Sequence, residues 1–584
     1  MRWVESDDVR LALFEQGDPA APTVLLIHGY PDTHRVWDEV AGLLEDRFHV
    51  VRYDVRGAGL SGAPAETAGY DYDHLAADLT AVLDAVGKPG VHLVGHDWGS
   101  IQGWRLIGRP GIEERILSFT SLGGPHPGQA AHFLRNGRRS KVAGQLMRSW
   151  YIGAFQIPAL PETVLRATLP RLARRFGAPA RPGHPADTLV KDGVNGLGLY
   201  RANLSPSTGA SDGSSEVAPG GSSGDGPVSR IPVQLVESTK DPFVSPALFD
   251  STDLWASRLW HRRVHAGHWP QRSHPRVLAR MIAEFAEHVE GAEPSRELRR
   301  DGPGERGPFD DRLVVVTGAG SGIGRATARA FAAHGAEVIC SDIDLDAARR
   351  TAEGIAERGG TAHALRVDVG DTTAMEEFAR LVKERHGVPD IVVNNAGVVV
   401  AGAFLDHSVE DWRHTLDVNL WGVIHGCRLF AAQMVERGEG GHIVNIASVA
   451  SFLPTRLLPA YSVSKSAVKS LSDCLRAELA GRGIGVTAIC PGFVSTPIAR
   501  NTVYVGELAK ETEEPAGKAL AARGYPPERV AAHILRAVHR NLPVVPVNAE
   551  GKLGYALSRI SPAAVRGMAR LTGAGEISRL TNKH

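Results

Sequence analysis

The chain has 584 residues, of which 43% are hydrophobic and 22% charged. A single core stops growing near about 250–300 residues, so two large domains are expected. Lys plus Arg and Asp plus Glu number 65 each, a net charge of zero that argues against nucleic acid as a partner.

The N-terminus, Met1 to Gln16, is charged and lacks the apolar core of a signal peptide. No stretch approaches the ~20 apolar residues of a membrane span. The expectation is a soluble, cytoplasmic protein without an integral membrane segment. The four cysteines, Cys340, Cys427, Cys474 and Cys490, have neither disulfide-framework nor zinc-knuckle spacing, so buried, reduced thiols and no metal site are expected.

The first apolar run, Val24–Ile27, leads into His28-Gly29-Tyr30-Pro31. It reads as a buried parallel strand ending at a functional turn. Strand and helix patterns alternate after it, which predicts an α/β fold.

Next comes Gly95-His96-Asp97-Trp98-Gly99, with the form of a nucleophile elbow. Two glycines allow a sharp strand-to-helix turn that exposes the middle side chain. That side chain is Asp97, not serine, and the residue type limits the chemistry. A carboxylate attacking an ester carbonyl forms an unhelpful anhydride. Attacking a saturated carbon, it forms an ester that water can open. Epoxides and alkyl halides meet that condition.

The segment 205–227 is Ser-, Gly- and Pro-rich with no aromatic residue and is expected to be a disordered insertion. Asp241 and His268 follow it, completing the order nucleophile, acid, histidine. His268 would activate water as general base, and Asp241 would orient the imidazole. Backbone N–H groups of Tyr30 and Trp98 would form the oxyanion hole.

These residues, with Asp54-Val55-Arg56-Gly57-Ala58-Gly59-Leu60-Ser61, resemble the α/β-hydrolase epoxide hydrolases from about Val4 to Ala286. The resemblance implies a helical cap, about 130–204, with two tyrosines that donate to the epoxide oxygen. Tyr200 matches one; Ala154 stands at the other position, with Tyr151 one helical turn away. Haloalkane dehalogenases share the Asp-Trp pair but usually carry Asn where this chain has Tyr30, and they stand second. A non-catalytic ligand-binding module is the remaining alternative.

The stretch 290–308 is rich in Glu, Arg, Gly and Pro and reads as the linker between a first domain, 1–289, and a second, 309–584. A second apolar run, Leu313–Val316, leads into Thr317-Gly318-Ala319-Gly320-Ser321-Gly322-Ile323-Gly324 and the helical run Arg325–His334. In that context the glycines let backbone approach a pyrophosphate at a helix N-terminus. Asp342 ends the next apolar strand, where an acid accepts from a ribose 2′-OH and repels a 2′-phosphate, so NAD is expected, with NADP as the alternative.

Tyr461 and Lys465 form Tyr-x-x-x-Lys and share a helix face. An adjacent ammonium favours the phenolate, so Lys465 should bring Tyr461 into range as acid/base. Ser448 would hydrogen-bond the substrate oxygen. This half resembles the short-chain dehydrogenase/reductases from about Phe309 to Pro546. The resemblance implies a doubly wound Rossmann fold, adenine-side contacts at Asp368 and Val369, and a strand-end motif at Asn395, Ala396 and Gly397. It also implies a fourth catalytic position at Asn419 and a nicotinamide-side loop at Pro491, Gly492 and Thr496. The family usually self-associates, so a homo-oligomer through this half is expected. The tail, Pro526 to His584, shows basic amphipathic helical stretches, Arg529–Arg540 and Ala563–Leu571, read as a solvated face packed on this domain.

The whole resembles actinobacterial fusions of an epoxide-hydrolase-like domain with a short-chain dehydrogenase. The expected activities are epoxide opening and secondary alcohol–ketone interconversion on small lipophilic substrates.

Overall fold

Val24, Leu25, Leu26 and Ile27 are all wholly buried, which a single-faced strand could not explain. In the computed structural model, Val24 and Leu26 enter one core, and Leu25 and Ile27 another on the opposite side of the sheet. The same split occurs at Val314 and Val316 against Leu313 and Val315. Both runs are sheet centres covered on two faces, hence apolar without alternation. Burying each such side chain contributes about 1.5–3 kcal/mol.

The structure describes residues 1–176, 183–204, 229–453, 455–511 and 525–561. The stretch expected as an insertion, 205–227, and the second tail helix, 563–571, lie outside them. The chain forms two units, Met1–Gly304 and Glu305–His584. Among the described residues no helix is long and apolar enough to cross a membrane.

The first unit has strands β1 (Arg2–Ser6), β2 (Val9–Gln16), β3 (Thr23–Ile27), β4 (His49–Tyr53), β5 (Val91–His96), β6 (Ile116–Leu122), β7 (Val233–Ser238) and β8 (Leu259–Val264). They form one sheet in the order β1-β2-β4-β3-β5-β6-β7-β8. β1 and β2 pair antiparallel, as do β2 and β4; the remaining pairs are parallel. Between β6 and β7 the chain leaves the sheet as helices, from Pro127–Asn136 to Leu197–Asn203. Leu165, Leu169, Leu189 and Leu197 give these helices a small core of their own.

Part of the stretch read as linker is built into this unit. Ser295 caps the helix Arg296–Arg300, and Leu298 is fully buried against Trp260 and Phe285. One leucine among charged residues carries no period, so the sequence pattern could not reveal that docking.

The second unit has β9 (Leu313–Thr317), β10 (Glu337–Asp342), β11 (Thr361–Arg366), β12 (Ile391–Asn394), β13 (Val400–Ala401), β14 (Gly441–Ile446), β15 (Ile484–Cys490), β16 (Val503–Tyr504) and β17 (Val544–Pro546). Its main sheet runs β11-β10-β9-β12-β14-β15-β17, parallel throughout. The order reverses between β9 and β12, the switch point where doubly wound sheets bind ligands. In the tail, helix Pro527–His539 packs inward through Val530, Ala531, Ile534, Leu535 and Ala537. Three cysteines are buried, but Cys474 is exposed, on the outer side of helix Pro459–Leu479.

Candidate active sites

In the first unit the bend after β5 needs both of its glycines. A Cβ on Gly95 would stand 2.2 Å from the Gly99 carbonyl oxygen, and one on Gly99 would stand 2.3 Å from that of Ile27. Between them Asp97 has φ +52°. A non-glycine residue rarely adopts that region, and such strain collects at functional sites. The His28-Gly29 turn comes so close that a Cβ on Gly29 would strike the Asp97 side chain at 2.4 Å.

The bend aims Asp97 at predicted partners. Tyr30 N–H donates to its Oδ1 at 2.8 Å. His268 Nε2 lies 3.4 Å from its Oδ2. On the other side of the ring, His268 Nδ1 is 2.7 Å from Asp241 Oδ2. Asp241 Oδ1 accepts from the N–H groups of Phe243 and Val244. Trp98 opens the helix after the bend, its backbone N–H adjacent to Asp97.

Burial alone would raise the Asp241 carboxyl, but the His268 charge and hydrogen bond, with two backbone donors, hold it below the usual range. Burial disfavours a charged His268; Asp241 first, and then Asp97, more than offset it and raise the imidazole to about 10. The triad is therefore a chain of matched charges.

Tyr200 sits over this group, its ring 5.0 Å from Trp98 and 5.2 Å from Tyr30. Tyr151 reaches the same place: its ring is 6.2 Å from that of Tyr200, edge-on. Burial first, then the Asp97 charge among other neighbours, raises both phenols, which keeps them protonated. Phe155 and Phe243 complete an aromatic wall that the sequence did not reveal; Phe243 packs 5.1 Å from His268. Arg148 donates to the Asp241 carbonyl at 2.6 Å, again with no sequence signal.

In the second unit a cleft of about 920 Å³ lies at the switch point. Its walls include the predicted Gly318, Ser321, Gly322 and Ile323 of the glycine turn, then Asp342, Asp368 and Val369. Asn395, Ala396 and Gly397 continue it to Ser448, Tyr461, Lys465, Pro491, Gly492 and Thr496. Thr317, Gly324 and Asn419 stand behind the wall and shape it. Thr317 Oγ1 accepts from Asn395 N–H at 3.0 Å and Ala396 N–H at 3.2 Å. A Cβ on Gly324 would meet the Gly318 carbonyl oxygen at 2.1 Å.

Gly318 and Gly322 have φ +65° and +51°, and the turn opens helix Gly322–Ala332 at the cleft. A bare backbone turn at a helix start, with an acid at the next strand end, fits the pyrophosphate and ribose of a dinucleotide. Asp342 Oδ2 accepts from Gly320 N–H at 2.8 Å, which holds that carboxylate at the cleft.

Asn419 lies in a π-helical turn, Asp417–Trp421, a local bulge common at functional sites. Its Oδ1 accepts from Val398 N–H at 2.8 Å, and its Nδ2 donates to the Val398 carbonyl at 2.9 Å. A Cβ on Gly397 would fall 3.1 Å from Asn419 Oδ1 and 3.6 Å from Lys465 Nζ, so the three converge. Lys465 Nζ donates to the Ile446 carbonyl at 2.8 Å and lies 5.7 Å from the Tyr461 ring centre. Tyr461 is hydrogen-bonded to Ser448. His414 and Asp417 also line the cleft and carry no motif that could have marked them.

One expectation is corrected. Lys465 was to lower the Tyr461 phenol, but burial raises it, and the Ser448 hydrogen bond offsets only part of that. Burial also lowers Lys465, to about 8. A desolvated ammonium committed to a carbonyl does little for the phenol.

Comparison with known proteins matches both units. The chain is 42% identical over 594 residues to "Probable oxidoreductase EphD" of Mycobacterium tuberculosis, covering 98% of each chain. It belongs to the EphD family. Within this EphD-family chain, residues 22–275 match the alpha/beta hydrolase fold and residues 312–504 match the short chain dehydrogenase family. "3beta-hydroxysteroid dehydrogenase 1" of Eggerthella lenta is 38% identical over 230 residues, 38% of this chain and 86% of its own. A short chain dehydrogenase/reductase of Burkholderia phymatum, crystallised with NAD, is 31% identical over 44% of this chain and 96% of its own, at a TM-score of 0.40. The EphD-family chain therefore joins a hydrolase-fold unit to a short chain dehydrogenase unit.

Proposed function

We propose that the first unit hydrolyses an epoxide through an Asp97 ester, and that the second interconverts a secondary alcohol and a ketone with NAD(H). Small lipophilic molecules are the proposed substrates of both. The observation that carries the first reading is the placement of Tyr151 and Tyr200 beside each other in the aromatic enclosure around Asp97 and His268.

Asp97 Oδ1 is engaged by Tyr30 N–H, so Oδ2 attacks the epoxide carbon. The carbon–oxygen bond of the ring breaks, and the leaving alkoxide takes a proton from Tyr151 or Tyr200. Esterification then removes the Asp97 charge, one of the two carboxylates that raise His268. The imidazole pKa falls, His268 gives up its proton to the phenolate left by ring opening, and the neutral ring then takes a proton from the water attacking the ester carbonyl. The Tyr30 and Trp98 N–H groups hold the oxyanion on what was Oδ1; collapse breaks the ester bond, and the carboxyl proton passes to the departing alkoxide, which releases the diol and restores the Asp97 carboxylate.

Halide displacement fits less well. Trp98 packs edge-on against Tyr200, and two proton donors above a nucleophile suit an alkoxide leaving group. A purely ligand-binding role gives no reason for a strained Asp97 aligned with His268 and Asp241.

In the second unit, a nicotinamide cofactor, when bound, would supply or accept the hydride. Thr317, the glycine turn and Asp342 would hold the dinucleotide, with Lys465 toward the nicotinamide-side ribose. Ser448 donates to the substrate oxygen. Tyr461 gives that oxygen a proton in ketone reduction and takes it in alcohol oxidation. Asn419 fixes the Val398 backbone beside Lys465. The Asp342 charge supports NAD over NADP, and the exposed apolar residues Trp421 and Val463 support self-association of this unit.

The test is a screen of lipophilic epoxides and secondary alcohols with the full chain, following diol and NADH separately. Diol formation abolished by Asp97→Ala, and NADH formation abolished by Tyr461→Phe, are the expected results. Diol formation that survives Asp97→Ala would sink the first reading.

A further inference from the structure

At the opposite end of β10 from Asp342, three side chains from three elements converge. Glu337 begins β10, His363 lies in the edge strand β11, and His386 ends helix Thr372–His386. His363 Nε2 is 3.2 Å and His386 Nδ1 is 3.3 Å from the same carboxylate oxygen, Glu337 Oε1. One donor atom of each lies within 4.8 Å of the others. The two imidazole rings are 4.4 Å apart.

We propose that Glu337, His363 and His386 form a site for a transition-metal dication of Zn²⁺ type. Zinc bonds to imidazole nitrogen and carboxylate oxygen are about 2.0–2.1 Å, and in a tetrahedron that sets neighbouring donors about 3.3 Å apart. The two nitrogen–oxygen separations here already have that length. Two imidazoles and one carboxylate are a donor set for zinc, and imidazole selects against magnesium and calcium. His363 is the most open member, with 41% of its side chain exposed, so water can take the fourth position.

The site stands apart from the chemistry. Five residue steps along β10 separate Glu337 from Asp342, about 16 Å at 3.3 Å per residue. Its effect is structural: the ion ties an edge strand to its neighbour and to a helix end. Closing two chain loops with one ion opposes unfolding, as any ligand of the native state alone does.

The test uses the full chain, freed of metal with a chelator, titrated calorimetrically with ZnCl₂, and separately with CoCl₂ while recording visible absorption. A single Zn²⁺ per chain, the intense visible bands of four-coordinate Co²⁺, and a melting temperature that rises on adding Zn²⁺ are expected. His363→Gln and His386→Gln should each lose that equivalent and the Zn²⁺-dependent rise, while alcohol oxidation without added metal stays unchanged. No saturable binding, or binding and Co²⁺ bands retained in the double variant, overturns the proposal. If the variants do not fold, the Co²⁺ spectrum of the unaltered chain decides: an octahedral spectrum alone rejects the site.

Discussion

The two sites solve charge placement in opposite ways. In the first unit Asp97, His268 and Asp241 form an alternating chain of charges inside an aromatic enclosure, and the imidazole is raised to about 10. In the second the acid/base pair meets an open cleft of about 920 Å³, and burial pushes Tyr461 and Lys465 toward their neutral forms. A hydrolase that carries its own nucleophile can assemble its electrostatics internally. A dehydrogenase site shares them with a cofactor, so its tyrosine rests neutral while Lys465, at about 8, still carries most of its charge at neutral pH.

The sharpest way to break this contrast is to remove the charge that each site depends on. Asp97→Ala should cost epoxide turnover about 10⁴-fold or more, as loss of a nucleophile does, and leave NADH formation untouched. Equal losses in both assays would show that the sites are not independent. Tyr461→Phe should lower alcohol oxidation by about 10²–10⁴-fold with cofactor affinity unchanged, read by NADH fluorescence titration.

Smaller effects sharpen the picture. Tyr151→Phe and Tyr200→Phe should each slow ester formation by about 10²-fold in single-turnover experiments, since each leaves one donor in place. A null result for Tyr151→Phe alone assigns the proton to Tyr200. The pH dependence should separate the two directions of the dehydrogenase. Tyr461 is raised above its ordinary value of about 10, so it stays protonated, and competent for ketone reduction, at neutral pH. Alcohol oxidation needs the phenolate and should climb steadily from pH 7 toward pH 10. A plateau reached below pH 7 would contradict the raised phenol. Last, Asp342→Ser should move the NAD-to-NADP ratio of kcat/KM toward NADP by about fivefold, the ~1 kcal/mol scale of an exposed charge contact.

Much of this was legible before any coordinates. The elbow Gly95 to Gly99 and the glycine turn at Gly318 are written in local sequence because their backbones demand residues without side chains. Tyr461 and Lys465 are legible for a similar reason, since helical spacing alone brings them to one face. The Tyr461 phenol was misjudged because desolvation depends on everything packed around a group, and chain spacing reports only one neighbour. Cys474 was misplaced because four scattered cysteines say nothing about which side of a helix each one takes.

What the amino-acid sequence determined by itself is the pair of folds, the elbow nucleophile and the glycine turn, because each rests on short-range backbone geometry and on apolar runs. What only the tertiary structure decided is how distant side chains meet: Tyr151 beside Tyr200, Leu298 docked under Trp260, and Glu337 between two histidines. Such meetings depend on strand order and helix packing, which place residues far apart in the chain within a few ångströms. No local pattern encodes them.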